Sequence, residues 1–284
     1  MQFISIAETD MNYLKNVFNL EGKTAVITGG GGVLGGAMGE GLALAGVNVI
    51  LAGIGIEKTK SNAEKIVAKG GKAVAVSMDV LDADGVRKTF AEIKKEYKTI
   101  DILINAAGGN MKGATIMPDQ TIFNLDLAEF DKVTDLNFKG TVIPTLEVCK
   151  IMSEQKKGSV INITSMAAIS SITRVVGYSA AKAAVSNFTM WMAMEMARKY
   201  GDGIRVNAIA PGFFITSLNK SLLMEDDGSL TERGQLVLGH TPMNRFGRPE
   251  ELTGAVLFLG SDASSFVTGI ILPVDGGFSS FSGV

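Results

Sequence analysis

The feature that most constrains this chain is a repeated alternation of short apolar runs with segments of helical length. The runs are almost continuously apolar, which is typical of strands covered by helices on both faces. Strands that alternate with such helices imply right-handed crossovers and a parallel sheet. The pattern predicts an α/β fold: a single-domain, Rossmann-type three-layer αβα sandwich with a seven-stranded parallel sheet. The predicted strands are Thr24–Thr28, Val47–Ala52, Lys72–Ser77, Asp101–Asn105, Ser159–Thr164, Ile204–Ile209 and Ile270–Val274.

The segments between these runs predict the covering helices. Ligands of a doubly wound sheet bind beyond the carboxyl ends of its strands. We expect residues 1–284 to form one domain, with residues 1–20 as an N-terminal extension. Residues 217–247 are long and weakly periodic, which predicts a lid over a substrate. The predicted helices are Leu34–Ala45, Glu57–Lys69, Asp84–Tyr97, Leu127–Glu154, Gly177–Tyr200 and Pro249–Leu259.

The composition excludes several classes of protein. A single cysteine, Cys149, and a single histidine, His240, leave disulfide scaffolds and Cys- or His-rich metal sites without ligands, so we predict no metal. The net charge of −2 without a basic block gives no electrostatic case for nucleic acid. No apolar run reaches the roughly 18 residues of a membrane span, and the first residues lack a signal-peptide pattern. We therefore expect a cytoplasmic protein that acts on a small molecule.

A glycine-rich turn lies where the first predicted strand meets the first predicted helix. Gly30 to Gly35 fits the spacing G-x-G-x-x-G. Glycines at this position let the backbone approach a pyrophosphate, and N–H groups at the start of a helix favour the anion. The alternative is a tight strand–helix turn without a ligand. The position of the turn in the alternating pattern favours dinucleotide binding.

The loop after the second strand bears on which dinucleotide binds. An acidic residue there accepts from the ribose hydroxyls of NAD, and an arginine suits the 2′-phosphate of NADP. Gly53 and Ile54 are neither, while Lys58 and Lys60 fit a solvated helix face. Because no arginine is offered, the loop slightly favours NAD(H) over NADP(H).

Tyr178 and Lys182 lie four residues apart, on one face of a predicted helix. A nearby ammonium favours the phenolate and lowers the pKa of a tyrosine from about 10. Tyr178 is therefore a candidate general acid and base for a carbonyl/alcohol pair. The spacing alone also fits an ordinary surface pair. Ser165 ends the fifth predicted strand at the ligand-facing edge, which favours the catalytic interpretation.

Over about residues 20–278 the chain resembles the short-chain dehydrogenase/reductase family. Each motif of the family is weak alone, whereas a series in register is specific. The series comprises Thr28–Gly35, Asp79 in Met78–Val80, Asn105–Gly108, Asn137 in Asp135–Gly140, Ser165, Tyr178 with Lys182, and Asn207–Gly212 followed by Thr216.

The resemblance implies an NAD(P)-dependent oxidoreductase with four catalytic residues. Ser165 would hold and polarise the substrate oxygen, and Tyr178 would transfer the proton. Lys182 would lower the pKa of the tyrosine and bind the nicotinamide ribose. Asn137 would support a water that relays protons to Lys182. The nicotinamide itself carries the hydride chemistry.

The same resemblance implies the cofactor contacts. Asp79 and Val80 would contact the adenine. Thr216 and the backbone of Phe214 would position the nicotinamide carboxamide. The full set of implied contacts is Gly29, Gly32, Val33, Leu34, Gly35, Gly53, Asp79, Val80, Asn105, Ala106, Gly108, Tyr178, Lys182, Pro211, Gly212, Phe214 and Thr216.

One residue departs from the family pattern. Val33 stands where the glycine-rich turn usually has its middle glycine, with Gly32 before it and Gly36 after it. Backbone binding of a pyrophosphate is compatible with this change if the loop packs differently. Four less specific sequence segments resemble the D-mannonate oxidoreductase (fructuronate reductase) branch of the family. They are the Gly32–Gly36 variant of the turn, Gly109–Asn110, Asn244–Gly247 and the tail Pro273–Phe278.

The substrate contacts are expected in two irregular segments, Gly109–Gln120 and the lid. The carboxylate of a sugar acid suits an arginine or a lysine. The predicted substrate contacts are Asn110, Arg174 and Arg245, with Lys112 as a further polar candidate. Arg174 lies four residues before Tyr178, although a surface arginine is an equal alternative. We expect His240 and Met190–Met196 to serve packing.

The leading interpretation is an enzyme that interconverts a ketone and a secondary alcohol of a sugar acid, with D-fructuronate and D-mannonate as the pair. The alternatives are an enzyme similar to gluconate 5-dehydrogenase and a 3-oxoacyl thioester reductase. A more distant alternative is a non-catalytic dinucleotide-binding regulator, against which the intact Asn137, Ser165, Tyr178 and Lys182 argue. The resemblance implies a homotetramer or a dimer.

Overall fold

The computed structural model, which describes residues 8–217 and 219–283, contains one seven-stranded sheet. Every pair of neighbouring strands is parallel, and the strand order is β3-β2-β1-β4-β5-β6-β7. The predicted fold class is confirmed. The order reverses between β1 and β4, which is where doubly wound sheets bind ligands. The strands are β1 Thr24–Thr28, β2 Asn48–Gly53, β3 Lys72–Ser77, β4 Ile102–Asn105, β5 Gly158–Ile163, β6 Ile204–Pro211 and β7 Ile271–Val274.

Helices cover both faces of the sheet. One core unites α2, α3 and α10 with the sheet, and a second core on the opposite face unites α4, α6 and α7 with it. Alternation along β1 shows the division, because Ala25 and Ile27 belong to the first core and Val26 to the second. The helices are α1 Glu8–Val17, α2 Val33–Leu44, α3 Ile56–Ala68, α4 Ala83–Tyr97, α5 Leu127–Thr134, α6 Gly140–Gln155, α7 Val176–Tyr200, α8 Lys220–Leu223, α9 Glu232–Gly239 and α10 Thr253–Gly260.

The predicted continuous helix Leu127–Glu154 is wrong in its middle. A π-helical turn, Asp135–Lys139, separates α5 from α6. The fully buried Asn137 lies in this turn, and its side-chain amide donates to the carbonyl oxygens of Gly109 (2.8 Å) and Val133 (2.8 Å). π-Helical turns are frequent at functional sites. The local widening of the helix therefore brings Asn137 to the loop after β4.

The predicted lid contains regular structure. Within 217–247, α8 and α9 flank an antiparallel bridge between Met224 and Leu230. Leu218, and residues 1–7 of the predicted N-terminal extension, lie outside the described residues. None of the helices in the described ranges is both long and apolar enough to cross a membrane.

A buried chain of polar side chains lies below the carboxyl edge of the sheet. Asn105 at the end of β4 donates to Thr145 Oγ1 of α6 (2.8 Å) and to Asn162 Oδ1 of β5 (2.9 Å). Asn162 donates in turn to Thr189 Oγ1 of α7 (2.9 Å). All four residues are at most 1% exposed. Because buried polar groups require partners, this network fixes two strands and two helices relative to one another.

Replacement of Thr189 by valine should therefore destabilise the fold. Thr189→Val keeps the shape of the side chain and leaves the buried Asn162 amide without its acceptor, at a cost of about 1–3 kcal/mol. Urea unfolding followed by circular dichroism measures the loss. Thr89→Val, on a partly exposed position of α4, is the matched control. Equal unfolding midpoints for the two variants would contradict the role of the network.

Candidate active site

The glycine-rich turn connects β1 to α2 at the switch in strand order. Gly29 has φ +67°, and a Cβ on it would lie 2.7 Å from the carbonyl oxygen of Ala106. A Cβ on Gly35 would lie 2.5 Å from the carbonyl oxygen of Gly29. Gly32 caps α2 without a side-chain hydrogen bond, and the first N–H groups of a helix have no intrahelical acceptor. The turn is therefore a cradle of backbone donors that suits a pyrophosphate.

Asn62, on α3, supports this cradle and escaped the sequence analysis. Its side-chain amide donates to the carbonyl oxygens of Gly30 (2.9 Å) and Gly32 (3.3 Å). The contact depends on how α3 docks against the turn, so no local sequence signal marks it.

Val33 begins α2 with its side chain 40% exposed. The valine side chain is therefore directed partly to solvent and does not fill the glycine-rich turn.

The predicted adenine contacts lie at the ends of β2 and β3. Gly53 ends β2, and Ile54 beyond it is 76% exposed. Asp79 is exposed and accepts from the backbone N–H of Leu81 (2.9 Å). Val80 is buried, and a Cβ on Gly140 would lie 2.9 Å from it. The structure thus brings the predicted residues to one edge of the sheet, and their contacts with adenine stay a prediction.

Ser165, Tyr178 and Lys182 come together at the carboxyl edge of β5. Ser165 precedes a short 3₁₀ turn, where its hydroxyl accepts from the backbone N–H of Ala167 (3.1 Å) and is hydrogen-bonded to Tyr178. Tyr178 lies in the first turn of α7, and Lys182 lies one turn later. The ammonium of Lys182 is 5.7 Å from the ring centroid of Tyr178 and donates to the carbonyl oxygen of Ile163 (2.8 Å).

Burial dominates the electrostatics of this cluster. It raises the pKa of Tyr178 above its ordinary value, and the hydrogen bond with Ser165 opposes this shift. Burial also lowers the pKa of Lys182 to about 8. Desolvation of the phenolate thus gives a net upward shift, and the lowering of the tyrosine pKa by Lys182 stays a prediction. Near neutral pH the cluster holds a protonated tyrosine.

Gly108 packs between Lys182 and Asn137 of the π-helical turn. A Cβ on Gly108, which has φ +151°, would lie 2.6 Å from Asn137 Oδ1 and 3.2 Å from Lys182 Nζ. Asn137 Oδ1 accepts from the backbone N–H of Gly109 (3.0 Å). The side chain of Asn137 therefore fixes the loop after β4 beside the lysine, and its predicted support of a water stays a prediction.

The predicted nicotinamide contacts follow β6. Gly212 donates its N–H to the carbonyl oxygen of Val274 (2.9 Å), directly after Pro211 at the end of β6. Asn219 organises the next turn, because it donates to the carbonyl oxygen of Phe214 (2.9 Å) and accepts from the N–H of Thr216 (2.8 Å). Asn219 is a second supporting residue that the sequence analysis missed.

The three predicted substrate residues have different surroundings. Asn110 donates to Thr115 Oγ1 (2.6 Å), and its buried Oδ1 has no partner among the described residues. Arg174 is partly buried in the loop before α7. Both terminal nitrogens of Arg245 already bind the carboxylate of Glu251 (2.7 Å each). Substrate contact by these residues stays a prediction.

A dinucleotide fits the residues at this edge. The cradle at Gly29–Gly35 leaves no room for a Cβ at its ends, and the buried Asn105 Oδ1 has no partner among the described residues. Asn105 and Ala106 adjoin the cradle through Thr28, whose hydroxyl accepts from the backbone N–H of Ala106 (3.1 Å). No group of three or more potential metal ligands occurs within 8–217 and 219–283.

Known proteins are similar to this chain in fold and in sequence. The family described as enoyl-(acyl carrier protein) reductase matches residues 32–279. A Bacillus subtilis protein named uncharacterized oxidoreductase UxuB is 44% identical over 275 residues, covering 94% of this chain and 98% of its own.

Two solved structures are also similar. A proposed D-mannonate oxidoreductase from Haemophilus influenzae with bound NAD is 42% identical, with a TM-score of 0.87 and coverage of 94% of this chain and 98% of its own. A proposed NAD(P)-dependent gluconate 5-dehydrogenase from Beutenbergia cavernae with bound NADP is 32% identical, with a TM-score of 0.81 and coverage of 93% and 100%. The chain belongs to the short-chain dehydrogenase/reductase family and is an NAD(P)-dependent oxidoreductase.

Proposed function

We propose that the protein interconverts a ketone and a secondary alcohol of a sugar acid, with D-fructuronate and D-mannonate as the pair. The observation that carries the chemistry is the hydrogen-bonded Ser165 and Tyr178 beside the buried Lys182. The choice of substrate draws on the similarity to the Haemophilus protein and on the polar residues of the loops around the cluster.

The protonated Tyr178 provides the acid for ketone reduction. Nicotinamide, when bound, supplies or takes the hydride. Ser165 holds the ketone oxygen by a hydrogen bond, and the Tyr178 hydroxyl donates its proton to that oxygen as the alcohol forms. In the reverse direction the phenolate takes the proton back. Because its pKa is raised, Tyr178 is protonated at neutral pH, which is the form that ketone reduction needs.

Lys182 and Asn137 hold this chemistry in place. The Lys182 ammonium donates to the carbonyl of Ile163, and this bond fixes its nitrogen beneath Tyr178. While charged, it stabilises the phenolate that remains after proton transfer. Asn137 fixes Gly109, and thereby the loop that borders the lysine.

The cofactor loop supports a slight preference for NAD(H). The end of β2 offers the exposed Ile54 rather than an arginine for a 2′-phosphate. The Haemophilus structure contains NAD and the Beutenbergia structure NADP, so the family accommodates both.

For assembly we propose a homotetramer, or else a dimer, in which α7 pairs with its copy through the exposed Met190, Trp191 and Met194.

Replacement of Tyr178 tests the mechanism. Tyr178→Phe should lower kcat by about a hundred- to ten-thousand-fold, because the proton donor is lost. Affinity for NADH, measured by fluorescence titration, should stay nearly unchanged. Tyr200→Phe, at the exposed end of α7, is the matched control. Turnover by Tyr178→Phe at the rate of the control would overturn the mechanism.

A panel of ketones tests the substrate. NADH and NADPH oxidation should be fastest with D-fructuronate, slower with 5-keto-D-gluconate and slowest with a 3-oxoacyl thioester, and NADH should give the higher kcat/KM. A higher kcat/KM for the gluconate or the thioester substrate would select that alternative. Absence of turnover with every member would exclude the proposed substrates while leaving the family assignment intact.

The pH dependence should differ between the two directions. For reduction, kcat/KM should fall above about pH 8, where Lys182 loses the charge that stabilises the phenolate. For oxidation, kcat/KM should rise with pH because Tyr178 accepts a proton only as the phenolate, and burial raises its pKa. Initial rates across the pH range measure both profiles. A reduction profile that stays flat through pH 8 would contradict the role of Lys182.

A further inference from the structure

A second arginine lies beside Arg174, and it comes from the lid. Arg233 is in the first turn of α9, which Thr231 caps by accepting from the N–H of Gly234 (3.0 Å). The guanidinium of Arg233 donates to Thr173 Oγ1 (3.0 Å) and approaches the carbonyl oxygen of the same residue (3.5 Å). Arg233 thereby reaches the residue next to Arg174.

The backbone of Arg174 is held in an unusual conformation. Its φ is +74°, a region that long side chains rarely adopt. Its carbonyl oxygen accepts from the N–H of Ile116 (3.0 Å), which ties the loop before α7 to the irregular segment after β4. Strained backbone of this kind is typical of binding and catalytic sites.

Within residues 8–217 and 219–283, neither guanidinium group has a carboxylate partner. Among the described residues, the arginines that form ion pairs are Arg87, Arg245 and Arg248. Burial, and after it the charge of Arg174, lower the pKa of Arg233. Two adjacent, partly buried cations repel each other, so an anion placed between them would be stabilised by both.

The two arginines lie in segments that adjoin the catalytic residues along the chain. Arg174 lies in the loop that leads from Ser165 to Tyr178, and Arg233 lies in the lid that follows Thr216. Asn110 belongs to the irregular segment after β4, which Ile116 ties to Arg174. Its Oδ1, buried and unpartnered among the described residues, suits a hydroxyl donor.

We propose that Arg233 and Arg174 together bind the carboxylate of the hydroxylated acid substrate, with Asn110 Oδ1 accepting from one of its hydroxyls. This inference rests on the proposed function, because it assigns the residues that recognise its acid group. Paired guanidinium groups match a carboxylate in charge and geometry. Arg245 suits this role less well, because Glu251 already occupies its guanidinium.

Kinetics with a charged and an uncharged substrate test the pair. Arg233→Gln and Arg174→Gln should each raise KM for D-fructuronate by about 10- to 100-fold, the loss of hydrogen bonds to a charged group. With the methyl ester of D-fructuronate, which lacks the negative charge, each variant should match the wild type in kcat/KM. Arg198→Gln, at the exposed end of α7, is the control for loss of an arginine. An equal loss with acid and ester would overturn the proposal.

Equilibrium binding separates this proposal from the proposed function. D-mannonate is titrated into the protein–NADH complex by calorimetry, which needs no turnover. If the wild type binds D-mannonate and Arg233→Gln weakens binding by about 10-fold or more, the arginine site stands even when fructuronate is not reduced. Equal affinities of the wild type and the variant, or no binding by the wild type, would overturn it.

Discussion

The burial of Lys182 is the constraint on which the site depends. The side chain is 4% exposed, and its ammonium donates to the carbonyl oxygen of Ile163 at the end of β5. A buried amine requires such partners, since desolvation disfavours its charge and lowers its pKa to about 8. This bond fixes the register of α7 against β5, a register that Thr164 reinforces by donating to the carbonyl of Lys182 (2.8 Å). The position of Tyr178 one turn earlier follows from it.

The space around the lysine dictates two departures from regular structure. Gly108 has no room for a Cβ, because Asn137 Oδ1 and Lys182 Nζ both lie against it. Asn137 reaches the loop after β4 because α5 and α6 are joined by a π-helical turn rather than a continuous helix. Each irregularity removes steric conflict or supplies a hydrogen bond beside one buried cation. The glycine and the π-helical turn are thus consequences of where the ammonium is placed.

The sequence predicts the sheet well because its signal is local. Buried parallel strands are continuous apolar runs, so β1 and β3 have the predicted bounds and the other strands differ by a few residues. The π-helical turn escaped prediction, since one inserted residue barely disturbs the apolar pattern of a helix. Asn62 and Asn219 escaped because their roles arise from docking of separate elements. The raised pKa of Tyr178 escaped as well, because helical spacing shows the neighbouring lysine and not the burial of both groups.

The buried framework and the peripheral loops serve different tasks: the framework fixes the catalytic residues, and the loops offer groups to a substrate. The buried chain through Asn105, Asn162 and Thr189 anchors the catalytic edge to both strands and helices, so the proton-transfer geometry has little freedom to vary with the substrate. Two groups available to a substrate lie instead in peripheral segments: Asn110 Oδ1, which is unpartnered among the described residues, and Arg233, which contacts the loop of Arg174. Unsatisfied polar groups and adjacent cations are costly unless a ligand compensates them. Substrate selectivity can therefore change through the loops while the framework below them stays the same.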